Sequence, residues 1–129
     1  MLLEANMRKS VEIKIGESRY QLLYTVRSLE RFEQYLGTSL FSVISSVLVN
    51  GAVGMVQSAT IHFIISGLRA GLLNQPKNFD AYDFVDMYCE NGGNIGELAK
   101  YIVDAVVESG LFTQGTPKKE EPMKKKNRR

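Results

Sequence analysis

Hydrophobic side chains recur along this chain with two different periods, and the change from one to the other comes at Thr25. Val11, Ile13 and Ile15 alternate with Glu12 and Lys14. After Gly16-Glu17-Ser18 a second run, Arg19 to Tyr24, carries Tyr20, Leu22 and Tyr24. Alternation at period two on both sides of a short glycine-containing break predicts a β-hairpin over 11–24. A lone hairpin is only marginally stable, so it must pack on the rest.

From Thr25 onward the spacing is helical. Thr25 is placed to cap a helix over 26–36 in which Val26, Leu29, Phe32, Tyr35 and Leu36 lie near one face and Arg27, Glu30, Arg31 and Glu33 take the other. Gly37 supplies the stop. Thr38 or Ser39 caps a second helix over 39–50, with Leu40, Ile44, Val47 and Leu48 on one stripe, ending at Asn50-Gly51. Met55 to Leu73 is apolar almost all round, which predicts a central helix over 55–73 with the others packed about it. Ala59, Ser66, Gly67, Ala70 and Gly71 are small enough to let neighbours come close, and Asn74-Gln75-Pro76 ends the run.

Asn78 is read as the cap of a fourth helix, over 79–91, with Ala81, Phe84, Val85 and Tyr88 inward. Asp80, Asp83, Asp86 and Glu90 make its outward face acidic. Gly92-Gly93 breaks the chain, Asn94 recaps it, and Ile95, Leu98, Ala99, Ile102, Ala105 and Val106 make a fifth helix over 94–110. Glu97 with Lys100, and Lys100 with Asp104, have the spacing to pair along its surface. The expected fold class is therefore mainly α: about five short helices around a central apolar one, with an N-terminal β-hairpin, in a single domain over 1–113.

Composition agrees with one soluble globule: 129 residues, 44% apolar and 23% charged. Charge changes the picture more. Residues 1–113 hold 9 Lys and Arg against 12 Asp and Glu, whereas 114–129 hold 7 against 2. The basic balance belongs to the last sixteen residues, and the domain itself is slightly acidic. With Met123 as the one apolar side chain of that stretch, disorder is predicted over 114–129.

Catalytic chemistry finds few candidates. His62, the single histidine, sits in the most apolar segment and reads as a satisfied core or boundary residue. Cys89, beside Tyr88 and without a nearby Lys, Arg or His in sequence, reads as a buried, inert thiol. One cysteine excludes an internal disulfide and suits a reducing compartment. The carboxylates from Asp80 to Glu90 lack the spacing of a zinc site and the glycine-turn loop of a calcium site. Asn91 to Gly96 is glycine-rich but lacks the lysine and hydroxyl of a P-loop. No enzyme activity, metal or cofactor is expected.

Two other classes need weighing. Gln34 to Leu68 carries no Asp, Glu, Lys or Arg over 35 residues, which raises the possibility of a small membrane-acting protein, holin-like in character. Gly37, Asn50-Gly51 and Gly54 cut that run into pieces, the first shorter than the roughly 20 residues a bilayer span needs. A hairpin within the core is the simpler reading, and no membrane contact is expected. No export signal is expected either, since Glu4, Arg8 and Lys9 precede any apolar run of signal-peptide length. Lys118, Lys119, Lys124, Lys125 and Lys126 could make the chain a nucleic-acid-associated adaptor. Without aromatic residues to stack bases, such binding would be weak, salt-sensitive and unspecific.

The ordered features resemble a known family. Tyr24-Thr-Val-Arg-Ser-Leu-Glu-Arg-Phe-Glu-Gln-Tyr-Leu-Gly37 followed by Thr-Ser-Leu, then Ala59 to Gly71 ending Ser-Gly-Leu-Arg-Ala-Gly-Leu, then Phe79 to Gly92 and a last amphipathic helix, is similar to the tail assembly chaperones of long-tailed bacteriophages and gene transfer agents. The likeness covers roughly Tyr20 to Phe112, on loose motifs. It implies a small non-catalytic helical protein that binds the tape-measure protein in the host bacterial cytoplasm and keeps it soluble until tail-tube protein assembles around it. It also implies absence from the mature virion. Members of the family are often made in two lengths by a ribosomal frameshift, the longer recruiting tail-tube protein. The basic C-terminal stretch is not a hallmark of the family.

A chaperone for a long helical client needs apolar surface bounded by polar groups. The residues expected to supply it are Leu40, Phe41, Val47, Leu111 and Phe112, with Asp80, Asp83, Asp86 and Glu90 as an electrostatic rim. The same surface would serve a homo-oligomer.

Overall fold

The computed structural model describes residues 10–51, 53 and 60–111. The expectations placed on 55–59, on Phe112 and on 114–129 lie outside these residues. The described chain is mostly helical, with an antiparallel hairpin first.

Strands β1 (Val11–Ile15) and β2 (Ser18–Leu22) pair in the register Ile13 opposite Tyr20 and Val11 opposite Leu22, across the Gly16-Glu17 turn. Ile13, Ile15 and Leu22 face the core while Glu12 and Lys14 face solvent, as a half-buried sheet requires. The hairpin is not left with two strands. Leu72 bridges Leu22 antiparallel, Leu23 N–H donates to the Gly71 carbonyl at 3.0 Å, and Leu73 N–H donates to the Gln21 carbonyl at 2.9 Å. A segment fifty residues downstream thus satisfies the outer edge of β2.

Helix α1 (Val26–Leu36) starts at a capping box: Thr25 Oγ1 accepts from Ser28 N–H while Ser28 Oγ accepts from Thr25 N–H. It stops at Gly37, whose φ of 81° lies in the left-handed region where a side chain is disfavoured. Helix α2 (Leu40–Asn50) takes Ser39 as its N-cap and receives a second acceptor from α1, where Glu33 Oε2 takes the Leu40 N–H at 2.8 Å. A carboxylate there satisfies an orphan donor and suits the positive end of the helix dipole.

Helix α3 (Ile61–Gly71) is the central one. It packs on α1, on α4 (Ala81–Glu90) and on α5 (Ile95–Glu108), and eight of its side chains or glycines are buried. It begins later than its apolar pattern suggested, because Thr60 is extended and its Oγ1 accepts from Phe63 N–H, a cap that hydrophobic periodicity does not register. It ends at Gly71 rather than Leu73, because Leu72 and Leu73 extend to pair with β2. Gln75 Nε2 turns back to the carbonyls of Leu68, Arg69 and Leu72 and covers the open helix end.

Helix α4 is capped by Asp80, whose Oδ1 accepts from Tyr82 and Asp83 N–H, and not by Asn78. Residues 76–79 are a turn closed by Phe79 N–H on the Pro76 carbonyl, which moves the helix start two residues on. Helix α5 opens with an Asn94–Glu97 capping box. Glu97 spends its carboxylate there and on the Tyr88 hydroxyl, so Lys100 pairs with Asp104 alone, at 2.9 Å.

Candidate protein-binding surface

Apolar side chains that the core leaves outside are concentrated on α2. Leu40 and Ile44 anchor this helix to the body, with Val43 and Val47 half-buried beside them. Positions 41, 45, 48 and 49 share the opposite face by helical spacing. Phe41 is 62% exposed there, Leu48 54% and Val49 80%. Val53 and Ile61, further along the uncharged run, are exposed as well. An eleven-residue helix is about 16 Å long, so this face is a stripe rather than isolated side chains.

The N-terminal end of the stripe opens into a groove. Val26, Leu29, Phe41 and Leu111 line it, with Glu30 and Glu33 of α1 along one edge, and it holds about 480 Å³. Leu29 is buried and forms the floor, while Val26 and Leu111 stand out from it. Leu111 is held by the turn after α5, where Ser109 Oγ donates to the Val106 carbonyl and accepts from Leu111 N–H.

Of the residues expected to bind a partner, the fold brings Phe41 and Leu111 together across seventy positions of sequence. Leu40 is fully buried and is corrected from surface to anchor: it points to the body at the first position of α2. Val47 is half-buried beside it. Leu48, read on one stripe with Leu40, Ile44 and Val47, faces out, and Val26, read on one face with Leu29 and Phe32, is exposed while those two are buried. α2 carries no charge, and its polar stripe of Ser42, Ser45 and Ser46 is exposed at the first two and half-buried at the third, too weak a signal to say which apolar stripe is the inner one.

Asp80, Asp83, Asp86 and Glu90 lie on the exposed face of α4. Among the described residues none of them forms an ion pair. Asp83 and Asp80 border a separate groove lined also by Tyr20, Pro76, Asn78, Phe79, Phe84 and Met87. Its floor is aromatic, with Phe84 meeting Tyr20 edge-on at 5.0 Å and Phe79 at 6.0 Å between ring centres.

The two residues considered for chemistry are accounted for locally. His62, exposed in the first turn of α3, donates from Nε2 to the Leu36 carbonyl at 3.3 Å. Cys89 is a free thiol, half-buried against the core rather than fully enclosed, because it sits at the flank of α4 beside the inward Tyr88. Among the described residues no three His, Cys, Asp or Glu side chains group as metal ligands, and no helix is long and apolar enough to cross a bilayer. Arg69, the one cation on α3, lies over the Tyr35 ring at 4.0 Å.

No protein-family model matches this chain, and neither a curated protein nor a solved structure does.

Proposed function

We propose that this chain is a non-catalytic assembly chaperone of the phage-tail type. It holds apolar helical segments of a long client, the tape-measure protein, until tail-tube protein takes over. The observation that supports the reading is the outer face of α2, where Phe41, Leu48 and Val49 are exposed on a helix without a single charged residue. A monomer gains nothing from displaying such a stripe, and an amphipathic client helix laid along it would bury both apolar faces. The groove beside Phe41 and Leu111 takes a side chain from that client, and Glu30 and Glu33 favour a basic residue at its edge.

Work of this kind belongs in the host cytoplasm, where the client is synthesised, and ends before the virion is complete. The test is co-expression with the longest helical protein encoded beside this one, scored by how much client stays soluble and co-purifies. A defined soluble complex is expected. A client that remains insoluble while this chain is soluble alone overturns the proposal.

A further inference from the structure

The acidic groove on α4 is separate from the α2 stripe and has a chemistry of its own. Its floor is apolar, from Tyr20, Phe79, Phe84 and Met87, and its volume of about 260 Å³ is below the range of roughly 300–1,000 Å³ typical of small-molecule pockets. Asp83 stands at its border, and Asp86 and Glu90 continue the negative ridge one and two turns on, all exposed and without an ion pair among the described residues. From residue 78 to 111 the chain carries seven acidic residues against one lysine, and from 114 to 129 seven basic residues against two acidic ones. Opposite charge is thus segregated into two consecutive parts of one polypeptide.

We infer that the basic segment 118–129 docks in cis on the acidic face of α4, with Lys124, Lys125 and Lys126 along Asp83, Asp86 and Glu90 and Met123 over the aromatic groove. Met123 is the one apolar side chain between two lysine clusters, and the groove is the apolar interruption beside the acidic ridge. Reach permits the contact. Tyr88 bonds Glu97 and meets the Tyr101 ring, so the end of α4 lies against the first half of α5. Leu111 is then about 20 Å of helix away from the end of α4, and the groove at the start of α4 is at most about 15 Å further. The twelve residues from Leu111 to Met123 extend to about 40 Å. Tethering at this length gives an effective concentration in the millimolar range, so contacts too weak to hold a free peptide suffice.

A nitroxide on Asn127→Cys, in the full chain with Cys89→Ala so that a single thiol reacts, reads the contact by NMR. At low salt the amides of residues 79–90 are expected to lose more than half their intensity. They should regain it at about 1 M salt, where the screening length falls to about 3 Å. The full chain with Asp83→Lys and Asp86→Lys, whose unchanged dispersed spectrum reports that it is folded, should show no loss at low salt. Undiminished intensity at 79–90, or the same loss in the charge-reversed chain, overturns the inference. Loss that appears when spin-labelled chains are mixed with separately isotope-labelled ones overturns the cis docking and assigns the contact to a second copy.

Discussion

The ring of Tyr24 occupies the space that a β-carbon on Gly71 would need. That contact joins the end of the hairpin to the last turn of the central helix, and the Tyr24 hydroxyl completes it by donating to the Gly67 carbonyl at 2.7 Å. Alanine at a helical glycine ordinarily stabilises by about 1 kcal/mol. Here the sign reverses. Gly71→Ala should destabilise by about 1–3 kcal/mol, the cost of overpacking a filled core, read as a lower urea midpoint with unchanged slope. A midpoint that rises contradicts the packing described.

Tyr24 also ties stability to alkaline pH. Burial pushes its phenol well above the ordinary value of 10.0, and burial followed by the hydrogen bond to Glu97 pushes Tyr88 the same way. The unfolded chain therefore loses these protons first as pH rises. The stabilisation is complete below pH 10 and is lost progressively above it, at up to about 1.4 kcal/mol per pH unit for each group. Tyr24→Phe should cost about 1 kcal/mol at pH 7 through the lost hydrogen bond and make the decline above pH 10 shallower. Parallel stability curves for the two proteins would contradict this.

Ser66 is buried in the middle of α3, and its hydroxyl makes no hydrogen bond among the described residues. Enclosing a hydroxyl without a partner is a cost. Ser66→Ala should leave stability unchanged or raise it by up to about 1 kcal/mol, which thermal denaturation would show as an equal or higher Tm.

Helix α5 offers an internal comparison of a cap with an exposed ion pair. Asn94→Ala removes one half of the capping box and should cost about 1 kcal/mol. Lys100 is drawn above its ordinary pKa by its hydrogen bond to Asp104 and the charge of that carboxylate, yet both groups are solvent-exposed. Pairs of that kind contribute little. Lys100→Ala should leave the Tm where it is, and equal losses for the two variants would contradict the assignment of α5 stability to its cap.

Local signals in the sequence located most of the architecture. Val11, Ile13 and Ile15 marked the hairpin by alternation, while Thr25, Gly37, Ser39 and Asn94 marked helix ends because each supplies a cap or a left-handed turn by itself. Asn78 was read as the cap of the fourth helix, and the Pro76–Phe79 turn moves that start on to Asp80. Thr60 was hidden inside an apolar run. The candidate surface was legible only in part: Phe41 and Leu111 were identified as apolar surplus, but their convergence depends on how α1, α2 and the end of α5 pack. Leu40 and Leu48, read on one stripe of α2, separate into a buried anchor and an exposed side chain, because nothing charged on α2 orients it. Long-range pairings such as Leu22 with Leu72 leave no trace in local periodicity.

The central claim, that the outer face of α2 holds the client, is tested most directly by Leu48→Asp/Val49→Asp in the full chain, co-expressed with the proposed client, the longest helical protein encoded beside this one. Both side chains are exposed, so the variant should keep the wild-type Tm and circular dichroism. The client it keeps soluble should fall at least tenfold. A stable variant that solubilises and co-purifies the client as well as the wild type would contradict the account.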